Sequence, residues 1–375
     1  MSSRDYDIAI VGAGIIGAAC AEEFIRRGLR VGIFDVDTHA GATMAAMGHV
    51  VVMDDSEAQF ALTRYSQQLW QQQRSELPGA VEYQDCGTIW VAADDEELQE
   101  IFRKRDYYSA RGVPARVLSP LALQAEEPGL RPGMAGGLLV SEDLVIDPPS
   151  AAHCFLERAR KQGATFHSAS AIVRIGNHSL RLASGHEFTA GFIVNAAGSN
   201  SGDLTPGIGI QKRKGHLALT DRQPGFLRHQ LVELGYLKSA HAVKTDSVAF
   251  NVQPRSSGQI LVGSSRQYGV EAGDVEGEIL GQMLRRAESY MPRLAEMPID
   301  RVWTGFRAAT PDKLPLIGPW PRDQSVLLAT GHEGLGITTS LGTARILADQ
   351  ITGTTPQIPI EPYLPARLFQ QQGRV

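Results

Sequence analysis

Asp7-Ile8-Ala9-Ile10-Val11-Gly12-Ala13-Gly14-Ile15-Ile16-Gly17 decides the fold of this 375-residue chain. An apolar run of strand length meets a glycine turn, and an apolar-periodic helix starts directly behind it. Gly12 permits a tight turn, Gly14 lets a ligand approach the backbone, and Gly17 lets helix and strand pack closely. Ala13, Ile15 and Ile16 complete the turn, where the free N–H groups of a helix start favour phosphate. Gly28 closes the helix, Val31-Gly32-Ile33-Phe34 reads as a second strand, and Asp35-Val36 follow it. A carboxylate at that place accepts hydrogen bonds from a ribose, so the unit predicts a Rossmann-like dinucleotide site.

The rest of the chain is read outward from this unit. Its length exceeds what one core sustains, which predicts two domains. With 43% hydrophobic and 21% charged residues it has the composition of an ordinary globular protein. A net charge of −5 gives no reason to expect nucleic acid as a partner. Lys212-Arg213-Lys214 is the one tight basic cluster and reads as a solvated loop face. Cys20, Cys86 and Cys154 lie far apart without a C-x-x-C pair, which argues against a disulfide framework, a zinc site or an iron–sulfur cluster. No metal site is expected. The first strand starts within a few residues of Met1, leaving no room for a signal peptide, and no apolar run approaches the roughly 20 residues of a bilayer span. A cytoplasmic location is expected.

Helices are predicted over 15–27, 57–77, 150–162, 276–291 and 335–350, and strands over 87–92, 193–198, 300–306 and 326–330. Residues 248–253 and 259–263 flank Pro254-Arg255-Ser256-Ser257-Gly258 as a hairpin. Asp94-Asp95 reads as an N-cap with a solvated acidic first turn. Residues 113–147 are broken by proline and glycine, and no long element is expected there. The fold class is therefore α/β. A Rossmann-like domain is assembled from 1–82, 148–206 and 308–375, and an α+β domain on a mostly antiparallel sheet from 83–147 and 207–307.

Three further motifs carry a resemblance. Gly41-Ala42-Thr43-Met44-Ala45-Ala46-Met47-Gly48, Asn195-Ala196-Ala197-Gly198, and the tail formed by Gly305-Phe306-Arg307-Ala308 through Gly331-His332-Glu333-Gly334-Leu335-Gly336-Ile337 occur in this order. Together they resemble the D-amino-acid oxidase and glycine oxidase superfamily over nearly the whole chain. Within it the chain is most similar to the FAD subunits of heteromeric bacterial dehydrogenases, D-hydroxyproline dehydrogenase foremost, with opine oxidase and hydrogen cyanide synthase as others.

The resemblance implies FAD in place of NAD. It implies cofactor contacts at Thr43, Ala46, Met47, Gly48, Val173, Ala197, Gly198, Gly331, His332, Gly334, Leu335, Gly336 and Ile337, beside the opening turn. Ala45 stands where some relatives carry the histidine that bonds covalently to flavin, so the FAD is expected to be non-covalent. Arg307 is the expected clamp for a substrate carboxylate, because guanidinium binds carboxylate through two parallel N–H groups. His49, Glu333 and Asn251 are the other candidate active-site residues. Glu333 is read as a partner of a substrate amine or hydroxyl, or as a cap of the next helix. The implied substrate is a small amino acid or cyclic imino acid. The implied partners are subunits holding an iron–sulfur centre or second flavin, through which the chain would be peripheral to the inner membrane.

Overall fold

A computed structural model describes residues 4–36, 41–235 and 246–370. Ala40, Gln371 and Gln372, with the remaining end of the 308–375 segment, lie outside the described residues.

Tyr6–Val11 alternates its side chains between two cores, as a strand covered on both faces must. Ile8 and Ile10 enter a core with Cys20, Phe24, Trp70, Phe155 and Leu347, drawn from four helices. Those helices are Ile15–Arg26, Glu57–Gln73, Pro148–Lys161 and Gly336–Thr352. Ala9 and Val11 face the other core, with Ile193, Leu328 and Trp320. The strand pairs in parallel with Val31–Phe34 on one side and Glu187–Asn195 on the other. Asp323–Thr330 joins Glu187–Asn195 in parallel, Thr165–His167 joins Val31–Phe34, and Leu316–Trp320 closes one edge antiparallel. The first sheet is thus drawn from three separated stretches of chain.

The second sheet has eight strands in the order Ile299–Ala309, Gln211–Thr220, Ile260–Tyr268, Ser247–Pro254, Gln230–Glu233, Thr88–Ala92, Gly136–Val140 and Ala115–Leu118. Every pairing in it is antiparallel except that of Gln230–Glu233 with Thr88–Ala92. Its outer face packs on the helix Gly277–Tyr290 through Phe250, Val252, Met283, Ala287 and Tyr290. Its inner face looks toward the first sheet. Between them runs the small pair His49–Val50 and Leu144–Val145.

Two local readings of the sequence are corrected. Residues 212–214 form part of a strand: Lys214 is buried with its Nζ 2.8 Å from Glu276, and Arg213 is buried too. Three successive basic residues on a strand alternate in direction, so proximity in sequence did not mean one solvated face. In the acidic turn after Asp94, Glu97 is buried and accepts from Ala93 N–H at 2.8 Å, while Asp94 accepts from Glu97 N–H at 2.8 Å. This is a reciprocal cap.

Candidate active site

A cavity of about 1010 Å³ lies at the carboxyl ends of the parallel strands, where open α/β sheets place their ligands. Gly12–Ile16, Asp35, Val36, Ala196–Gly198 and Thr330–Gly331 line it, each directly after or at the end of one of those strands. Gly12 has φ of +102°, and a Cβ there would sit 2.4 Å from the Ala196 carbonyl. A Cβ on Gly17 would meet the Gly12 carbonyl at 1.9 Å, so this glycine closes the turn against the helix and lies behind the cavity wall. Ala13 N–H donates to the Asp35 carboxylate, which holds that carboxylate over the turn. Ile15 N–H donates to Thr43 Oγ1 at 2.9 Å, tying the small-residue segment to the helix start.

A second helix start faces the same cavity. Gly336–Thr352 begins after Leu335 with no side-chain cap, and Trp70 Nε1 fixes its first turn by donating to the carbonyls of Ile337 and Thr338. All of residues 331–337 line the cavity. Two helix dipoles therefore direct their positive ends into one elongated space. His332 is held with Nε2 3.0 Å from Thr343 Oγ1, and burial lowers its pKa to about 3, so it is neutral.

The remaining wall is the inner face of the second sheet. On three strands alternate residues reach it, Thr88 and Trp90, Gln230 and Val232, and Arg213, Gly215 and Leu217, while on the strand Ile299–Ala309 the consecutive residues Gly305 to Ala308 line it. Arg213 lies directly opposite Arg307 on one side and Tyr268 on the other, so all three share a face. Arg266, two residues before Tyr268, lines the same wall. Arg307 donates from Nη1 to the Ser265 carbonyl at 3.0 Å and lies over Gly215, where a Cβ would be 2.5 Å from that nitrogen. Burial lowers the Arg307 pKa to about 10, with the charge of Arg213 adding to the effect. Arg266 is lowered to about 9 by burial, then by Arg213 and Arg307. Both remain charged at neutral pH.

Glu333 is the acid of this wall. Its backbone is left-handed (φ +50°), its N–H donates to Ala308 O at 2.9 Å, and its carboxylate pairs with Arg213. Arg213 also donates to Tyr268 OH at 3.0 Å. Opposite stands His49, whose Nε2–H donates to Gly334 O at 3.2 Å. Its Nδ1 is buried with no hydrogen-bond partner among the described residues. Burial lowers the His49 pKa to about 4, helped by Arg307 and opposed by the bond to Gly334, so the imidazole is neutral. Asn251 Oδ1 is likewise buried and without a partner among the described residues.

These features fit FAD: a turn in which side chains are sterically excluded, two uncapped helix starts, and a cavity long enough to join Asp35 to Arg307. Residues 7–350 match the family described as DAO, FAD dependent oxidoreductase. The chain belongs to this family. The subunit HcnC of hydrogen cyanide synthase from Pseudomonas aeruginosa is 27% identical over 426 residues, covering 100% of this chain and 99% of its own. The glycine oxidase structure from Geobacillus kaustophilus superposes with a TM-score of 0.87 at 24% identity, covering 97% of this chain and 99% of its own. L-proline dehydrogenase from P. horikoshii superposes with a TM-score of 0.86 at 22% identity, over 98% of this chain and 99% of its own. The two structural likenesses are likenesses of fold.

In this FAD-dependent oxidoreductase the cofactor is FAD, and most residues singled out from the sequence meet in one cavity. Arg307, His49, Glu333 and Asn251 line it, as do Thr43, Ala46, Met47, Ala197 and Gly198. Ala45 lines it with a methyl group, which has no atom able to bond covalently to flavin. Gly48 is set back, with φ of +89° and the Ile146 carbonyl 2.0 Å from where a Cβ would be; it turns the chain so that Met47 and His49 face inward. Val173 is a correction: it is 57% exposed and off the cavity wall, while Ile172, its neighbour on the opposite side of the strand, lines it. Glu333 does not cap the following helix. Among the described residues no cluster of His, Cys, Asp or Glu is suited to a metal, and no helix is long and apolar enough to cross a membrane. Sequence reading missed Arg213, Arg266 and Tyr268; their one signal was strand alternation in residues 211–220 and 260–268.

Proposed function

We propose that the protein oxidises the Cα–N bond of an α-amino or cyclic imino acid, with the substrate carboxylate held by Arg307. One observation carries this reading: a buried guanidinium on the wall of the FAD cavity, seated over Gly215 and tied by Nη1 to a backbone carbonyl. A planar charged fork placed in this way matches a carboxylate through its other N–H groups. FAD, when bound, supplies the acceptor for the hydride leaving the α-carbon. The residues supply position. Arg307 fixes the carboxylate, and neutral His49 and His332 add no charge of their own.

At finer grain, the reading is cis-4-hydroxy-D-proline going to a pyrroline carboxylate. Asn251 supports it, because its Oδ1 on the same wall, buried and without a hydrogen-bond partner among the described residues, is an acceptor suited to a ring hydroxyl. The similarity to a protein named L-proline dehydrogenase supports a cyclic imino acid. The similarity to a glycine oxidase structure favours a second reading, in which glycine or sarcosine is the substrate.

The test is anaerobic mixing of the FAD-loaded protein with cis-4-hydroxy-D-proline, D-proline, sarcosine and glycine, following flavin bleaching. Bleaching by hydroxyproline at a rate above that of glycine is expected. Bleaching by glycine or sarcosine alone overturns the finer reading in favour of the second.

A further inference from the structure

The ladder between the strands Gln211–Thr220 and Ile260–Tyr268 opens beside the clamp. Lys214 pairs with Gln267 and Ala218 with Val262, so residues 215–217 face residues 263–266, three against four. An extra residue of this kind takes backbone groups out of the ladder and re-aims what lies beside them. Here those groups find other partners. His216 N–H donates to Ser265 Oγ at 2.8 Å, a side-chain oxygen standing where a backbone carbonyl would serve. The Ser265 carbonyl, which this ladder does not use, accepts from Arg307 Nη1 at 3.0 Å. Gly215, in the same gap, leaves the guanidinium its room. Behind the gap the His216 ring is fully buried. Its Nε2 accepts from Glu276 N–H at 3.0 Å, so the ring proton is on Nδ1, 2.9 Å from Ser265 Oγ. Glu276 stands just ahead of the helix Gly277–Tyr290, and its carboxylate takes Lys214 Nζ at 2.8 Å and Gln267 Nε2 at 3.0 Å. A chain of hydrogen bonds thus runs from the start of that outer helix, through His216 and Ser265, to the guanidinium.

We propose that His216, bonded through both ring nitrogens, is a positioning residue for Arg307: it fixes Ser265, and Ser265 fixes the fork that takes the substrate carboxylate, an inference that rests on the reading of Arg307 as that clamp. His216 touches no substrate; it does not line the cavity. Its tie works in one protonation state only. A proton on Nε2 would set one donor against another, the Glu276 N–H, and the chain would break at that point. Burial holds the His216 pKa below the ordinary 6.5; Lys214 and Arg307 act the same way, and Glu276 acts against them. Those are the charged groups around the ring: Lys214 on its own strand, Glu276 at the helix start and Arg307 on the strand Ile299–Ala309. Thr304 opposite it, with Ser265 and Gln267 on the strand Ile260–Tyr268, are uncharged. At neutral pH the tie is therefore intact. It is lost, and the clamp loosened, as pH falls through the lowered pKa.

The test is binding of tetrahydro-2-furoate to the FAD-loaded protein, read from the flavin spectrum. This ring carries a carboxylate and has no nitrogen to titrate. His216→Gln can still accept through its amide oxygen and donate through its amide nitrogen, so its dissociation constant is expected within about threefold of wild type. His216→Phe fills the space without either bond and is expected to bind the ring about tenfold more weakly while keeping its FAD. Ser265→Ala removes Oγ and keeps the carbonyl; the same direction is expected, and it decides the matter if His216→Phe does not fold. Between about pH 7 and about pH 4.5 the wild-type dissociation constant should rise as acid is added, and that of His216→Gln should stay level. In an Arg307→Lys background, His216→Phe should add less than about twofold, because the fork it steers is gone.

Wild-type affinity in His216→Phe and Ser265→Ala overturns this inference alone. So does a loss in His216→Phe that persists at full size in the Arg307→Lys background, and so does a pH profile shared by wild type and His216→Gln. An Arg307→Lys protein that binds the ring as tightly as wild type overturns the clamp reading and takes this inference with it.

Discussion

Gly215 has no side chain in the space that the Arg307 guanidinium fills, and a Cβ would stand 2.5–2.8 Å from three of its atoms. Gly215→Ala must therefore push the guanidinium aside without touching its charge. Misplacing a positioning group by about 1 Å costs up to about a hundredfold, so kcat/KM for the amino-acid substrate should fall by about tenfold to a hundredfold. Steady-state kinetics with a matched melting curve checks this, and an unchanged kcat/KM would show that the fork is not the carboxylate clamp. Arg307 was legible because it sits in a motif of contiguous residues. Arg213 was not. What gives it a role is the residue paired with it, nearly a hundred positions away, and that pairing depends on register.

Elements are legible where a local signal marks their ends. The helix after the glycine turn was expected over 15–27 and spans Ile15–Arg26, and the helix of the tail was expected over 335–350 and spans Gly336–Thr352. The helix expected over 57–77 ends at Gln73 and continues as a short 3₁₀ turn, Arg74–Glu76, ahead of Pro78. The broken stretch 113–147 still contributes two strands to the second sheet, because short strands need partners more than they need periodicity. The opening turn is the element most constrained by contact. Gly17→Ala would place a carbon 1.9 Å from the Gly12 carbonyl, which is backbone and has no rotamer to yield. The variant is expected to purify without bound FAD and to take it up at least about tenfold more weakly, since the turn can no longer present its N–H groups. Titration of the apoprotein with FAD, read by flavin fluorescence, decides this; wild-type affinity would mean that the turn is not the phosphate cradle.

For the whole molecule, one tie between the two sheets joins the clamp to the cofactor-side turn. The strand Ile299–Ala309 carries Arg307, and Ala308 accepts from the Glu333 N–H of the cofactor-side turn at 2.9 Å, so clamp and cradle are held in mutual register. The three cysteines are free and scattered, and no metal-binding cluster is formed among the described residues. For a dehydrogenase subunit, the reduced protein mixed with air-saturated buffer should reoxidise over minutes; stopped-flow reoxidation within a second would instead make oxygen the acceptor.

The interleaving of the first sheet also orders events during synthesis. Val11 pairs with Asn195, and Asn195 with Leu328, so the second edge of the strand ahead of the glycine turn waits until residue 195, 184 positions beyond Val11, has been made. At about 5–20 residues per second on the ribosome, that wait is about 10–40 s. Throughout it, the strand Tyr6–Val11 has one local companion, Val31–Phe34, and a bare opposite edge. The phosphate turn is the first part of the site to be translated, and the strand that leads into it keeps one edge unpaired until residues 190–195 have been made.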